Sequence, residues 1–246
     1  MPDKAAAVTQ TAKETLDFAP NYCHIIEIDV TPKADKPTWA SALEGITNVK
    51  PSSEETKDED EFYDMLDFTD NNITKVKHSL AFTGFRKYGS KAQDFIQSKA
   101  LGILNERKTS YRWIMPDGTK LQGNCTLCDL IAGSGMGDSK NKGDFSFTLA
   151  INTIDTKIIG DAIYAPESIS ATDVTTTVGA TTPIGETIAP TDANQAAHFV
   201  IEDESIATVD SDGNVTGVAA GSTIVTIKAA SKPSVTKQVK VTVSAS

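Results

Sequence analysis

The sequence predicts a mainly β protein of two domains, the first carrying one α-helix beside its strands and the second built of strands alone. Three observations lead there. Val76, His78, Leu80 and Phe82 fall on one strand face, with Lys75, Lys77, Ser79 and Thr83 on the other. Ala92, Phe95, Ile96, Lys99 and Ala100 follow helical spacing behind an N-cap at Ser90. Beyond about Pro166 helical periodicity disappears, and Thr, Val, Ala, Ser and Gly form short runs broken by turn residues.

In chain order, residues 1–20 form a polar arm with little to anchor it. Strands are expected at 22–30 and 38–47. Residues 50–72 are long and strongly acidic, with Glu54, Glu55, Asp58, Glu59, Asp60 and Glu61 close together and only Lys57 to offset them. Phe62, Tyr63, Met65, Leu66 and Phe68 follow, an unusual tail for a solvated segment. The expectation is a functional loop, flexible in the monomer, that docks on a neighbour. Residues 82–94, F-T-G-F-R-K-Y-G-S-K-A-Q-D, then join strand to helix through a basic, aromatic turn. Gln93 stands three residues after Ser90, as in a capping box, and Gly102 closes the helix. Residues 111–121, Y-R-W-I-M-P-D-G-T-K-L, read as strand, Pro-Asp-Gly turn and returning strand. A Gly-rich loop at 130–138 (L-I-A-G-S-G-M-G-D) precedes an alternating strand at 144–152 (D-F-S-F-T-L-A-I-N).

Composition changes near Gly160, so residues 1–160 are read as the first domain, 161–166 as a linker and 167–246 as the second domain. The second holds I-A-T-V-D-S-D-G-N-V-T-G-V-A-A-G-S-T-I-V-T-I at 206–227. There Asp212-Gly213 makes a tight hairpin, and Gly217 and Gly221 allow a second turn. A terminal strand spans 238–243.

The 246 residues, 39% hydrophobic and 23% charged, are ordinary for a globular chain that buries a working core. Net charge is −10, shared equally between residues 1–162 and residues 163–246, and no dense Lys/Arg cluster occurs. That argues against a nucleic-acid reader. No apolar run is long enough to cross a bilayer, so no membrane insertion is expected. The N-terminus lacks the apolar region of a signal peptide, which suggests a reducing cytoplasm. Three cysteines, an odd number, fit that compartment better than a disulfide framework.

Constellations that suggest chemistry have simpler readings. Cys125 and Cys128 form a CxxC, but further zinc ligands are scattered and the alternation puts Cys125 and Cys128 on opposite strand faces. Two small strand side chains are the expectation. Asp210, Asp212 and Asn214 open like a calcium loop without the later ligands or closing Glu, so a hairpin turn is expected. Gly133, Gly135 and Gly137 lack the Lys-Ser/Thr and helix of a phosphate cradle, so a mobile loop is expected. Arg86, Lys87, Arg107, Lys108 and Arg112 are read as candidate interface partners for the acidic loop rather than nucleic-acid contacts. His24, His78 and His198 are isolated. No nucleophile–base set or paired-carboxylate set has supporting context, so neither catalysis nor a metal or cofactor is expected.

The ordered set 82–94, 111–121, 130–138 and 144–152 resembles the major tail (tail tube) protein of long, flexible-tailed bacteriophages, over about residues 21–157. Residues 165–244 resemble the bacterial immunoglobulin-like group 2 module, most specifically at 206–221, with Phe199-Val200 where that family often carries Trp. The first resemblance implies a β-sandwich or barrel with one flanking helix that forms hexameric rings, stacked into a virion tube assembled in the host cytoplasm. The partners it implies are copies of the chain itself and the tape measure, tail terminator and distal tail proteins. Double-stranded DNA would pass through without specific binding. The second resemblance implies an Ig-like β-sandwich decorating the tube, with host-surface carbohydrate as a candidate ligand. The bulky F-Y-D-M-L-D-F at 62–68 departs from the Gly-rich stretch of many tail tube relatives. A bacterial surface adhesin is the alternative, and the single module and missing export signal weigh against it.

Overall fold

A computed structural model describes the chain except residues 1–13, 17, 61–69, 132–134, 137–139 and 246. It divides into two compact units. One comprises Ile25–Ile114 and Lys120–Ile158; the other comprises the residues up to His24, Met115–Thr119 and Ile159–Ser246.

The first unit is an antiparallel sheet with one helix. Its strands are β1 (Ile25–Asp29), β2 (Trp39–Ser41), β3 (Ile46–Asp60), β4 (Asp70–Phe85), β5 (Lys108–Ile114), β6 (Lys120–Cys128), β7 (Asp144–Ile151) and β8 (Thr156–Ile158). The order across the sheet is β2-β1-β5-β6-β7-β4-β3, with β8 added to β6. Inward residues of β1, β2, β4, β5, β6 and β7 meet in one core, closed by Ala92 and Ile96 of helix α1 (Lys91–Ser98). Strands from both ends of the order therefore share one interior. Phe82 and Phe147 stack there with ring centres 4.4 Å apart, and Phe145 meets Phe147 edge-on. Gly123 lets strands approach: a Cβ there would stand 2.1 Å from the carbonyl oxygen of Thr153.

The structure corrects several sequence expectations in this unit. The strand expected at 22–30 begins at Ile25, after a 3-10 turn at Asn21–Cys23. The strand expected at 38–47 is interrupted. β2 ends at Ser41, and the chain turns through Gly45 at φ +72° before β3 begins. A side chain at Gly45 would meet the Phe85 carbonyl oxygen at 2.6 Å as well as being strained. The stretch 50–72, read as a loop, is for the most part strand: β3 and β4 pair continuously from Ile46 to Asp60. Backbone pairing is independent of side-chain polarity, and a ribbon wet on both faces needs no apolar alternation. Ser90 does cap α1, accepting from Gln93 N at 3.4 Å. The Gln93 side chain does not complete a capping box. It is buried, accepts from Lys87 N at 2.7 Å, and donates to the carbonyls of Glu44 (2.6 Å) and Phe85 (3.1 Å). It thereby ties the helix start to the β2–β3 turn and the end of β4.

Among its described residues the second unit contains nine strands: β9 (Ser168–Ser170), β10 (Val174–Thr177), β11 (Thr181–Pro183), β12 (Thr187–Ala189), β13 (Ala197–Ile201), β14 (Ala207–Val209), β15 (Asn214–Gly217), β16 (Gly221–Ala229) and β17 (Thr236–Ser244). They form sheets β10-β17-β16-β13, β11-β15-β14 and β12-β9 around a core that includes Ile188, Val215, Val225, Ile227 and Val241. β10 runs parallel to β17; the other pairings are antiparallel. The described part of the arm expected to hang free is anchored. Leu16 N donates to Ile163 O, Ala165 N donates to Glu14 O, and Lys232 pairs with Glu14. In the same unit the Asn194 amide donates to the carbonyls of Met115 (3.0 Å) and Pro116 (3.1 Å).

Candidate assembly surface

The β3–β4 hairpin outruns the sheet that supports it. β4 pairs with β7 only from His78 to Phe85, whereas its pairing with β3 continues out to Asp70. Past His78 the ribbon has two strands, and residues 51–58 and 72–78 are exposed. β3 ends the sheet order, with no further strand on its outer edge among the described residues.

Register assigns the faces of this ribbon. Glu55 lies opposite Val76, Thr56 opposite Lys75 and Lys57 opposite Ile73, so Thr74 is an extra residue in β4. The extra residue keeps Ile73 on the face that carries Val76, His78, Leu80 and Phe82. Leu80 and Phe82 are core, but Val76 is 42% exposed and Ile73 55%. The core's apolar stripe thus continues into solvent. Glu55 and Lys57 flank it; Glu54 and Asp58 lie on the opposite face with Lys75 and Lys77. Glu54 and Lys77 are 4.0 Å apart, a solvated pair.

Of the acids singled out by sequence, Glu54, Glu55 and Asp58 are therefore strand residues in water, and Glu59 and Asp60 continue the β3 backbone. Glu61, Phe62, Tyr63 and Phe68 lie outside the described residues.

The five candidate basic partners do not form a set. Arg112 is buried. Its Nε and Nη2 donate to Glu27 Oε2 at 2.7 and 2.6 Å, and its guanidinium lies 5.0 Å over Trp39. An arginine so placed is not available to an acidic neighbour, which corrects that expectation. The Arg86 side chain is also largely covered, pairing with Asp94, donating to Lys87 O and Gln93 Oε1, and lying over Tyr88. Arg107 donates to the carbonyls of Gly102 (2.6 Å) and Ala100 (2.8 Å), satisfying the turn after α1. Lys87 pairs with Glu44 at 2.7 Å at the surface, and Lys108 is exposed at the start of β5.

The turn after α1 is a feature that sequence reasoning, which ends the helix at Gly102, does not single out. Helix α1 stops at Ser98, and the L-G-I-L turn beyond it exposes Leu101 (87%), Ile103 and Leu104 (80%). Leu104 has φ +51°, a costly conformation for a branched side chain. Besides Arg107, Glu106 Oε2 braces this knuckle by accepting from Ile103 N at 3.3 Å. The signal in the sequence is three large apolar residues placed after the helix has used its own stripe.

The CxxC and the Asp210 segment have local structural roles. Cys125 is fully buried among core residues, and burial pushes its thiol up to about 12; Cys128 faces the other side of β6. Asp210 is a turn residue: its carboxylate accepts from the backbone N–H groups of Asp212 and Asn214 and from the Asn214 amide. Of the Gly-rich loop, residues 132–134 and 137–139 lie outside the described residues, and Gly135 has φ +98°. Among the described residues no three His, Cys, Asp or Glu side chains gather to hold a metal, and no helix is long and apolar enough to cross a membrane.

Residues 165–243 match the model of the bacterial Ig-like domain (group 2). No curated protein matches the chain. Among solved structures, the chain is similar at 12% identity and TM-score 0.47 to a chain in the tail of an empty GTA particle with C6 symmetry, covering 58% of this chain and 100% of that one. A chain from the virion of a native gene transfer agent particle gives 10% identity, TM-score 0.46 and the same coverage. A chain from the phage p2 baseplate in its activated conformation gives 13% identity and TM-score 0.35, covering 61% of this chain and 49% of that one.

Proposed function

We propose that this chain is a structural virion protein, the tail tube subunit of a long-tailed bacteriophage, which closes into hexameric rings that stack into a DNA-delivering tube. The observation that carries the reading is the β3–β4 hairpin. A two-stranded ribbon is marginal alone in water, and this one extends past its sheet with an open edge and a solvent-exposed apolar stripe. Neighbouring copies relieve all three conditions: ring closure covers sheet edges, and head-to-tail contact builds an open-ended stack. The ordered motifs at 82–94, 111–121 and 144–152 support the same reading. So does the charge. A chain at −10 releases few DNA counterions, so a duplex slides past rather than binding.

The Ig-like domain decorates the tube exterior, where it engages host-surface carbohydrate weakly; this role rests on analogy with its family. An adhesin-type protein is the second reading, favoured by the Ig-like match at 165–243. A concentration series in light scattering separates the two. The tail reading requires particles far larger than the 26.2 kDa chain, growing with concentration. Monomers throughout, in several buffers and salts, would remove it and leave the adhesin.

A further inference from the structure

Within the second unit, the turn between β16 and β17 and the segment ahead of β1 border a pocket of about 420 Å³. That size falls in the range of about 300–1,000 Å³ usual for small-ligand sites. We propose that this pocket binds a neutral saccharide. The assignment rests on the carbohydrate role given above to the Ig-like domain and gives that role a place.

The walls are fixed from both ends. Cys23 is buried, and its Sγ donates to Ser231 O at 3.3 Å, which pins the 3-10 turn at Asn21–Cys23 to the β16–β17 turn. At the other end Ala165 N donates to Glu14 O, and Lys232 pairs with the Glu14 carboxylate. Val235 N donates to Lys232 O, which holds Pro233 in a tight turn. Walls set in place beforehand reduce the ordering cost of binding.

Three features select the ligand. The first is a pair of open rings. Phe18 is 97% exposed and Tyr22 67%, and both line the pocket beside Pro20 and Pro233. One face of a pyranose ring presents C–H groups that can leave water against such rings, while its edge presents hydroxyls. The second is Ser231, a lining residue only 5% exposed, whose hydroxyl has no hydrogen-bond partner among the described residues. A covered hydroxyl left unpaired is costly, and a ligand hydroxyl can donate to it or accept from it. The third is charge. Glu14 and Lys232 pair with each other at the rim, so the pocket offers an acceptor and a donor without net charge. That favours a neutral polyhydroxylated ligand over an anionic polymer. A proline-rich peptide could use the rings, but without N–H groups it brings no donor to Glu14. Glu14, Phe18 and Tyr22 lie outside the matched residues 165–243, so the site joins the Ig-like module to a segment the module's family does not supply.

The test is biolayer interferometry of full-length protein on immobilised neutral tetraoses of glucose, galactose and N-acetylglucosamine, beside a hyaluronan tetraose and a decaproline peptide. Binding to at least one neutral tetraose is expected. Phe18→Ala/Tyr22→Ala should weaken it at least tenfold and Ser231→Ala about fivefold. Val200→Ala, exposed on β13 outside this lining, should leave it unchanged. Phe18 and Tyr22 are exposed and Ser231→Ala removes one atom, so folding is retained, and melting curves verify this. Binding to hyaluronan or decaproline alone overturns the assignment. Failure of every neutral tetraose overturns it together with the carbohydrate role. Neutral binding that Phe18→Ala/Tyr22→Ala does not weaken overturns this site and leaves the carbohydrate role to another surface of the domain. Monomers at every concentration that bind a neutral tetraose through these residues would remove the tube and leave the site.

Discussion

Replacing Arg112 separates an internal role from an interface role. Its guanidinium bonds Glu27 at 2.6–2.7 Å, and the two side chains are 5% and 7% exposed. Arg112→Met leaves the Glu27 carboxylate buried without its charge partner. Breaking a buried pair from one side costs about 3–5 kcal/mol, and losing the stack on Trp39 adds up to about 1 kcal/mol. At about 2–4 °C per kcal/mol for a chain of this size, the melting temperature should fall by about 10 °C. Glu27→Met/Arg112→Met removes both charges and restores apolar volume, so it should recover most of that loss. Urea unfolding of wild type, both single variants and the double variant closes the cycle. The same double variant then goes into the assembly assay. It should assemble like wild type, because neither residue reaches a surface. A single-variant loss below about 1 kcal/mol, or a double variant that folds well but does not assemble, would refute this account of Arg112.

Gln93→Ala removes the link between α1, the β2–β3 turn and the end of β4. It strands Lys87 N and the Glu44 and Phe85 carbonyls, so a loss of about 2–4 kcal/mol is expected by urea unfolding. Reversing Glu54, Glu55 and Asp58 to Lys should move stability by less than about 0.5 kcal/mol each, since all three are solvated strand residues, yet it should shift the concentration for assembly. Hydrogen exchange should be faster in β4 before His78 than after it in the monomer, because only the later part has β7 as well as β3 beside it; assembly should slow the faster part. His198 has its pKa lowered by burial and by Lys228. The unfolded chain therefore binds a proton below about pH 6.5 that the folded chain resists. That contribution is present above the unfolded pKa and is lost as pH falls through and below it. Melting curves from pH 7.5 to 5 should show a shallower decline for His198→Gln than for wild type, and identical declines would count against it.

The sequence made the fold legible where side chains carry a periodic signal. Leu80 and Phe82, the α1 stripe, the Asp144–Ile151 alternation and the Asp210–Asn214 turn all appear where their chemistry places them. It failed where backbone pairing alone decides. Glu54, Glu55 and Asp58 are strand residues because β4 runs beside them, and no pattern within β3 announces that partner. The basic residues were equally opaque. Arg112 and Lys108 look alike in sequence, and only the fold sets one against Glu27 and leaves the other in water. Ile73, Val76, Leu101, Ile103 and Leu104 were legible as apolar but not as exposed. Exposure depends on where the sheet stops supporting the hairpin and where the helix ends. The anchoring of Glu14 and Leu16 likewise depends on partners at 163–165 that no local pattern names.

Electron microscopy of the purified full-length protein across a concentration series tests the central claim most directly. Rings of sixfold symmetry that stack into open tubes are expected. Isolated monomers at every concentration, or closed two-fold dimers that never extend, would contradict it.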